Sequence, residues 1–263
     1  MHKIEEIDDR NIDQFINLIR SDVIKHVFAF YDIQNDRAHT RIHASFANGG
    51  LEGYILAYTA TDVSSVILEC EKRLATKLLQ FAPENHFVMH TNPSLQAIIE
   101  KTFPWAKNYL ENWMILERTK AHISDFENAK RLSTKEDAAA LAKLVLSRKD
   151  RPRRNLEKYN EWIAKMPMYG VYVGNELVSY AGSFIQLPQV WLIGGVYTHP
   201  RHRNMGYAQI ATSAITREAL ENAKMAALFV RSDNSSAIRV YEKIGYHMIA
   251  EKLWVDVGTG LKP

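Results

Sequence analysis

Two segments of this chain follow one plan, and no other feature constrains its fold as much. Asn92-Pro93-Ser94-Leu95-Gln96-Ala97-Ile98-Ile99-Glu100-Lys101 and Asn234-Ser235-Ser236-Ala237-Ile238-Arg239-Val240-Tyr241-Glu242-Lys243 each begin with asparagine after a strand-like run and end in Glu-Lys. Each is followed by a strand pattern that contains tryptophan, Trp113 in one case and Trp254 in the other. Self-similarity of this kind predicts two copies of one structural plan. A length of 263 residues suits two domains. The polar stretch Arg118 to Asp125 marks a boundary, so the expected division is 1–122 and 124–263.

Apolar spacing fills in the elements. Ile12, Phe15, Ile16 and Ile19 recur at helical intervals, and Leu51 to Thr59, Ser64 to Cys70, His86 to His90 and Tyr109 to Arg118 read as strands. Helices are expected over Glu71 to Phe81 and Ser94 to Thr102. In the second half, Ser133-Thr134-Lys135-Glu136 has capping-box spacing, with Ser133 as the cap and Glu136 reaching back. It opens a helix carrying Ala138, Leu141, Leu144 and Val145 inward, and Leu156 to Met166 forms the next helix. Strands at Tyr169 to Val173, Leu177 to Leu187 and Val190 to Thr198 precede a helix over Gly206 to Asn222. Ala226 to Arg231, a helix over Ser235 to Ile244 stopped by Gly245, and His247 to Val257 complete the pattern. The fold class this implies is α+β, an α/β mixed sheet covered by helices.

Composition narrows the function. Hydrophobic residues make up 46% of the chain and charged residues 24%, an ordinary globular balance. No apolar run approaches the ~20 residues of a membrane helix, and the N-terminus shows no apolar signal segment. The lone cysteine, Cys70, excludes an internal disulfide and fits a reducing compartment, so a cytoplasmic location is expected. A formal charge of +3 is far from the nucleic-acid-binding extreme. The histidines show no metal-ligand spacing, so no metal is expected.

The chemistry concentrates in Val196-Tyr197-Thr198-His199-Pro200-Arg201-His202-Arg203-Asn204-Met205-Gly206-Tyr207-Ala208, which joins a strand to a helix. The free N–H groups at a helix start, and its dipole, favour an anion. Gly206 lets a phosphate approach the backbone, Ala208 is small, and Arg201 and Arg203 add positive charge.

Arg203-Asn204-Met205-Gly206-Tyr207-Ala208 resembles the Arg/Gln-x-x-Gly-x-Gly/Ala signature of the GNAT superfamily of acyl-CoA-dependent N-acyltransferases. The run from Asn234 through Ala237 and Tyr241 to Gly245-Tyr246 is similar to that family's second motif. The resemblance covers residues 125–257. It implies the GNAT acyl-CoA N-acyltransferase fold, in two tandem copies, with acetyl-CoA as cosubstrate wedged between two parting strands. By carry-over, the backbone of Val196 and Thr198, with Tyr197 between them, would pair with the pantetheine amides. The amides of Arg203, Asn204, Met205, Gly206, Tyr207 and Ala208 would hold the pyrophosphate. Asn234 would bond the pantetheine arm, or simply cap the following helix. Tyr241 would act as general acid, protonating the departing thiolate.

The resemblance leaves other roles open. Many family members carry a glutamate on the strand before the loop, but Val190-Trp191-Leu192-Ile193-Gly194-Gly195 has no ionisable residue. His199 is a lesser candidate base, and proton removal through water is the default. The basic run Arg148-Lys149-Asp150-Arg151-Pro152-Arg153-Arg154 reads as a solvated loop, or as a selector for an acidic acceptor or nucleic acid. In the first half Ile99 stands where Tyr241 stands in the second, and no phosphate-loop pattern precedes residue 92. That half is expected to be a degenerate copy. The leading expectation is an N-acetyltransferase whose acceptor is a small-molecule amine or a protein or peptide amine, with no membrane or nucleic-acid partner. The alternatives are an N-acyltransferase of the glycine-acyltransferase type and a non-catalytic acyl-CoA sensor.

Overall fold

The structure is a computed structural model and describes residues 3–148 and 154–258. Most of the basic run, Lys149 to Arg153, lies outside the described residues, as does the tail from residue 259. In chain order the first elements are β1 (Ile4–Glu6), α1 (Ile12–Ile19), α2 (Val27–Asn35), β2 (Thr40–Ala47), β3 (Gly50–Tyr58), β4 (Ser64–Cys70), α3 (Lys72–Leu78), β5 (Phe87–Thr91), α4 (Gln96–Thr102) and β6 (Lys107–Glu117). Then follow β7 (Lys130–Arg131), α5 (Lys135–Leu146), α6 (Leu156–Lys165), β8 (Met168–Val173), β9 (Glu176–Gln186), β10 (Val190–Thr198), α7 (Tyr207–Asn222), β11 (Met225–Arg231), α8 (Ser235–Ile244) and β12 (His247–Val257). No helix among the described residues is long and apolar enough to cross a membrane.

The chain forms two compact units. The first comprises Met1–Asn112, Arg231–Asp233 and Ala250–Pro263, the second Trp113–Val230 and Asn234–Ile249. In the first unit the strands run β1-β2-β3-β4-β5-β12, antiparallel except for the parallel pair β4–β5. In the second they run β7-β8-β9-β10-β11-β6, with β10–β11 as the parallel pair. Parallel neighbours need a crossover, and α3 and α7 supply it in equivalent places. The two units therefore repeat one plan.

The units do not divide at one point of the sequence. β6 and β12 each begin in the unit of their own sequence half and end in the other. The expected division 1–122 and 124–263 would assign residues 113–122, 231–233 and 250–258 differently. The strands are equivalent in the repeat, each an eleven-residue strand with a tryptophan after an asparagine-led helix.

Each unit has its own core. The first packs Ile55, Leu68, Met89 and Leu253 against Leu74, Leu78, Leu95 and Ile99. The second packs Ile193, Leu228 and Val230 against Ala211, Ile215, Tyr241 and Ile244. A further layer in the second unit sets Leu141, Leu144, Tyr159 and Ile163 against Leu177 and Tyr180.

The start of α5 differs from the expected capping box by one residue. Thr134, not Ser133, is the cap, and its Oγ1 accepts from the Asp137 N–H at 3.2 Å. The Asp137 carboxylate, not Glu136, reaches back to the N–H groups of Thr134 and Ser133, both at 3.0 Å. Asp137 also accepts from Lys130 Nζ and the Tyr172 hydroxyl, both at 2.8 Å, and these extra donors select it over Glu136.

α8 stops at Gly245, whose φ is +109°. Its N–H donates to Glu242 O at 2.9 Å and that of Tyr246 to Tyr241 O at 3.0 Å, a Schellman closure. A Cβ at this glycine would collide with the Lys120 carbonyl oxygen and crowd Leu116. Gly245→Ala therefore combines left-handed strain with a backbone clash and is expected to destabilise the chain by at least about 2 kcal/mol. Denaturant titration checks this; a midpoint equal to that of the parent would contradict it.

Polar groups alternate with core residues along the strands of the first unit. Lys252 pairs with Glu69, His26 Nδ1 lies 2.9 Å from the Tyr54 hydroxyl, and His90 Nδ1 lies 3.7 Å from Glu111 Oε2. Burial pushes the Glu111 carboxyl up to about 7, against the opposing pull of Arg231, and pushes His90 down to about 4. A carboxyl with a raised folded pKa favours folding below its unfolded value and loses that contribution as pH rises through 7. Glu111→Gln should therefore gain stability relative to the parent between pH 4.5 and 8, on the order of 2–3 kcal/mol. Paired thermal melts across that range test the sign; a constant difference would refute it.

Candidate active site

β10 keeps its antiparallel partner β9 as far as Thr198↔Ser179 but pairs with β11 only from Val190↔Met225 to Ile193↔Leu228. The strands part at Gly194-Gly195, where the register with β9 shifts. Gly195 has φ +68°, and a Cβ at Gly194 would stand 2.6 Å from Phe184 Cε1. These glycines let the chain bulge away from β11 under an aromatic ring. The His199 N–H donates to Val178 O at 2.8 Å, on the β9 side. Backbone groups alternate along a strand, so those of Val196 and Thr198 face the opening. There the Thr198 carbonyl accepts from Arg203 Nε at 3.4 Å.

After β10 the chain turns tightly. His199 Nδ1 accepts from the Arg201 N–H at 3.3 Å, and Pro200 starts a single 3₁₀ turn. Asn204 and Gly206 then take left-handed φ values of +63° and +82°. Such alternation turns successive N–H groups into one concavity, a nest for an anion. Among the described residues, no N–H from Asn204 to Gln209 donates to an acceptor. A Cβ on Gly206 would meet nothing within 4 Å, so the space before these donors is open.

A cleft of about 540 Å³ joins the two features. Val196, Tyr197, Thr198, Arg203, Asn204, Gly206, Tyr207, Ala208 and Asn234 all line it. Met205 does not; it is 59% exposed, so only its main chain belongs to the loop. His202, Arg239 and Lys243 also line the cleft, and the sequence reading assigned them no role. Arg239 and Lys243 stand four residues apart on α8, one face of a helix, and that spacing was the available signal.

Asn234 does cap α8. Its Oδ1 accepts from the Ala237 N–H at 3.2 Å and from the Ser236 hydroxyl at 3.0 Å. The oxygen is thus committed to the helix, in a residue that also lines the cleft. His199 likewise commits its Nδ1 to a capping bond.

Tyr241 lies in the second unit's core, 6% exposed, its ring edge-on to Tyr246 with centroids 6.1 Å apart. It is not one of the cleft-lining residues. The two tyrosines differ at the hydroxyl. Tyr246 shares a 2.8 Å hydrogen bond with Thr216, whereas the Tyr241 hydroxyl makes none among the described residues. Burial raises the Tyr241 phenol to about 12, so it keeps its proton throughout the neutral range.

A second cavity, about 200 Å³, includes Gly194 and Gly195 in its wall together with Tyr159, Trp162, Tyr180 and Phe184. Tyr197 lines the first of these spaces. Its hydroxyl bonds Ser147 at 2.8 Å, and Arg148 and Arg203 lie 5.0 and 6.0 Å from its ring centre. Among the described residues no group of three or more histidine, cysteine, aspartate or glutamate side chains is placed to hold a metal.

Residues 168–255 match the family model described as FR47-like protein. No curated protein matches the chain. Among solved structures the chain is similar to a Drosophila protein, with a TM-score of 0.73 at 13% identity over 97% of this chain and 98% of that one. It is also similar to a GCN5-related N-acetyltransferase from Kribbella flavida, with a TM-score of 0.65 at 17% identity over 90% and 96% of the two chains. A tandem GNAT protein from the clavulanic acid biosynthesis pathway aligns with a TM-score of 0.58 at 12% identity over 98% of this chain and all of its own (100%). At these identities the likeness is one of fold.

Proposed function

Because the chain has the GNAT fold in two tandem copies, with an FR47-like region over residues 168–255, we propose that it is an acyl-CoA-dependent N-acyltransferase moving an acetyl group from acetyl-CoA to a primary amine. One observation carries this reading: the open edge of β10 and the nest of undirected N–H groups around Gly206 face the same cleft. An extended arm with amides suits the first, a pyrophosphate the second. Arg203, Arg239 and Lys243 surround the cleft with positive charge for the remaining phosphate.

In the reaction the neutral amine attacks the thioester carbonyl and a C–N bond forms. The C–S bond then breaks and the sulfur takes a proton from the Tyr241 hydroxyl, which regains one from solvent. Excess protons on the attacking nitrogen leave through water, since β10 offers no carboxylate. The first unit contributes no second active centre in this reading, because Ile99 has no proton to give.

Incubating the full chain with acetyl-CoA and a panel of amines, while following free thiol, tests the proposal. Amine-dependent thiol release is the expected result. Tight acetyl-CoA binding with no release by any amine would instead identify a sensor.

A further inference from the structure

The cavity beside the bulge bears on the acceptor, an inference that rests on the acyltransferase reading above. Its volume, about 200 Å³, is below the ~300–1,000 Å³ of sites for drug-sized ligands, so it suits one small molecule. Trp162, Met166, Met168 and Phe184 give it apolar walls. Its charged lining residues are Arg148 and Arg154, and no carboxylate lines it among the described residues. Arg154 is exposed, with its guanidinium carbon 5.4 Å from the Trp162 ring centre, so the cation is held at the edge of an apolar wall. Among the described lining residues, a polyamine or other multiply cationic acceptor would meet the like charge of Arg154.

We propose that this cavity takes a free amino acid with a bulky apolar side chain, Arg154 holding the α-carboxylate and the aromatic wall receiving the side chain. A guanidinium edge matches a carboxylate through paired N–H bonds, which fixes the neighbouring amine in space.

The test compares L-phenylalanine with L-phenylalaninamide, phenethylamine and spermidine as acceptors for the full chain with acetyl-CoA. Phenylalanine is expected to give the highest kcat/KM. Arg154→Gln is expected to raise its KM by ~10- to 100-fold and to close the preference over phenethylamine, in line with the loss of hydrogen bonds to a charged group. A preference for spermidine or phenethylamine in the parent, or an unchanged phenylalanine KM in the folded variant, would overturn the assignment. Calorimetric titration of phenylalanine and phenethylamine into the CoA-loaded protein reads the cavity without turnover. If no amine releases thiol, the acyltransferase reading fails, and the titration still decides whether the cavity selects a carboxylate.

Discussion

Replacing Tyr241 by phenylalanine is expected to lower kcat by about 10²–10⁴-fold, the usual contribution of a general acid. The substitution deletes one oxygen from a side chain that is 6% exposed, and that oxygen makes no hydrogen bond among the described residues. Nothing is left unpaired by its removal, so thermal stability and acetyl-CoA affinity should hardly move. Tyr246 provides the contrast from the same core. Its hydroxyl bonds Thr216 at 2.8 Å, and Tyr246→Phe should cost about 1 kcal/mol of stability while thiol release persists. Thiol-release rates and melts on both variants separate chemistry from packing. If Tyr241→Phe turned over as fast as the parent, the thiolate would have to leave unprotonated.

Gly206→Glu should reduce acetyl-CoA affinity by about 100-fold or more. The backbone strain of a side chain at φ +82° costs about 1–2 kcal/mol, and the Cβ itself meets nothing. The fold should therefore persist. The new carboxylate, however, can occupy the N–H donors at residues 204–209 and repel the pyrophosphate. Calorimetry on a variant with an unchanged far-UV spectrum measures the loss. Equal affinity would move the phosphates elsewhere in the cleft.

Much of this architecture was legible in the sequence because the decisive signals are local. β10, α8 and β12 fall at their expected bounds, since Pro200, Asn234, Gly245 and alternating apolar residues punctuate them. The strand-to-helix loop around Gly206 and the asparagine cap were legible for the same reason. β1, α2, β2 and β7 were not anticipated. Val27-Phe28-Ala29-Phe30-Tyr31 is apolar without a break, so it has no period to read, and β7 is only two residues long. Position within the site was the least visible quantity. That Tyr241 is buried in the core without lining the cleft, that Phe184 lies over Gly194, and that Arg154 meets Trp162 are facts of side-chain packing that no local spacing announces.

The same locality conceals what the crossed strands mean for the growing polypeptide. The edge of β5 is completed by residues 253–257, paired from Leu253↔Thr91 to Val257↔Phe87, which are synthesised long after β5 itself. Until they emerge, a nascent chain holds β5 with an open edge, a template for wrong pairing. The second unit needs residues 113–117 from before the boundary, so it inherits its sixth strand from chain already made. Neither half of the gene, cut at the boundary its repeat suggests, encodes a finished sheet. Each unit takes the strand segment that completes its sheet from the other half of the sequence, so the first unit is a structural condition of the second whatever chemistry it carries.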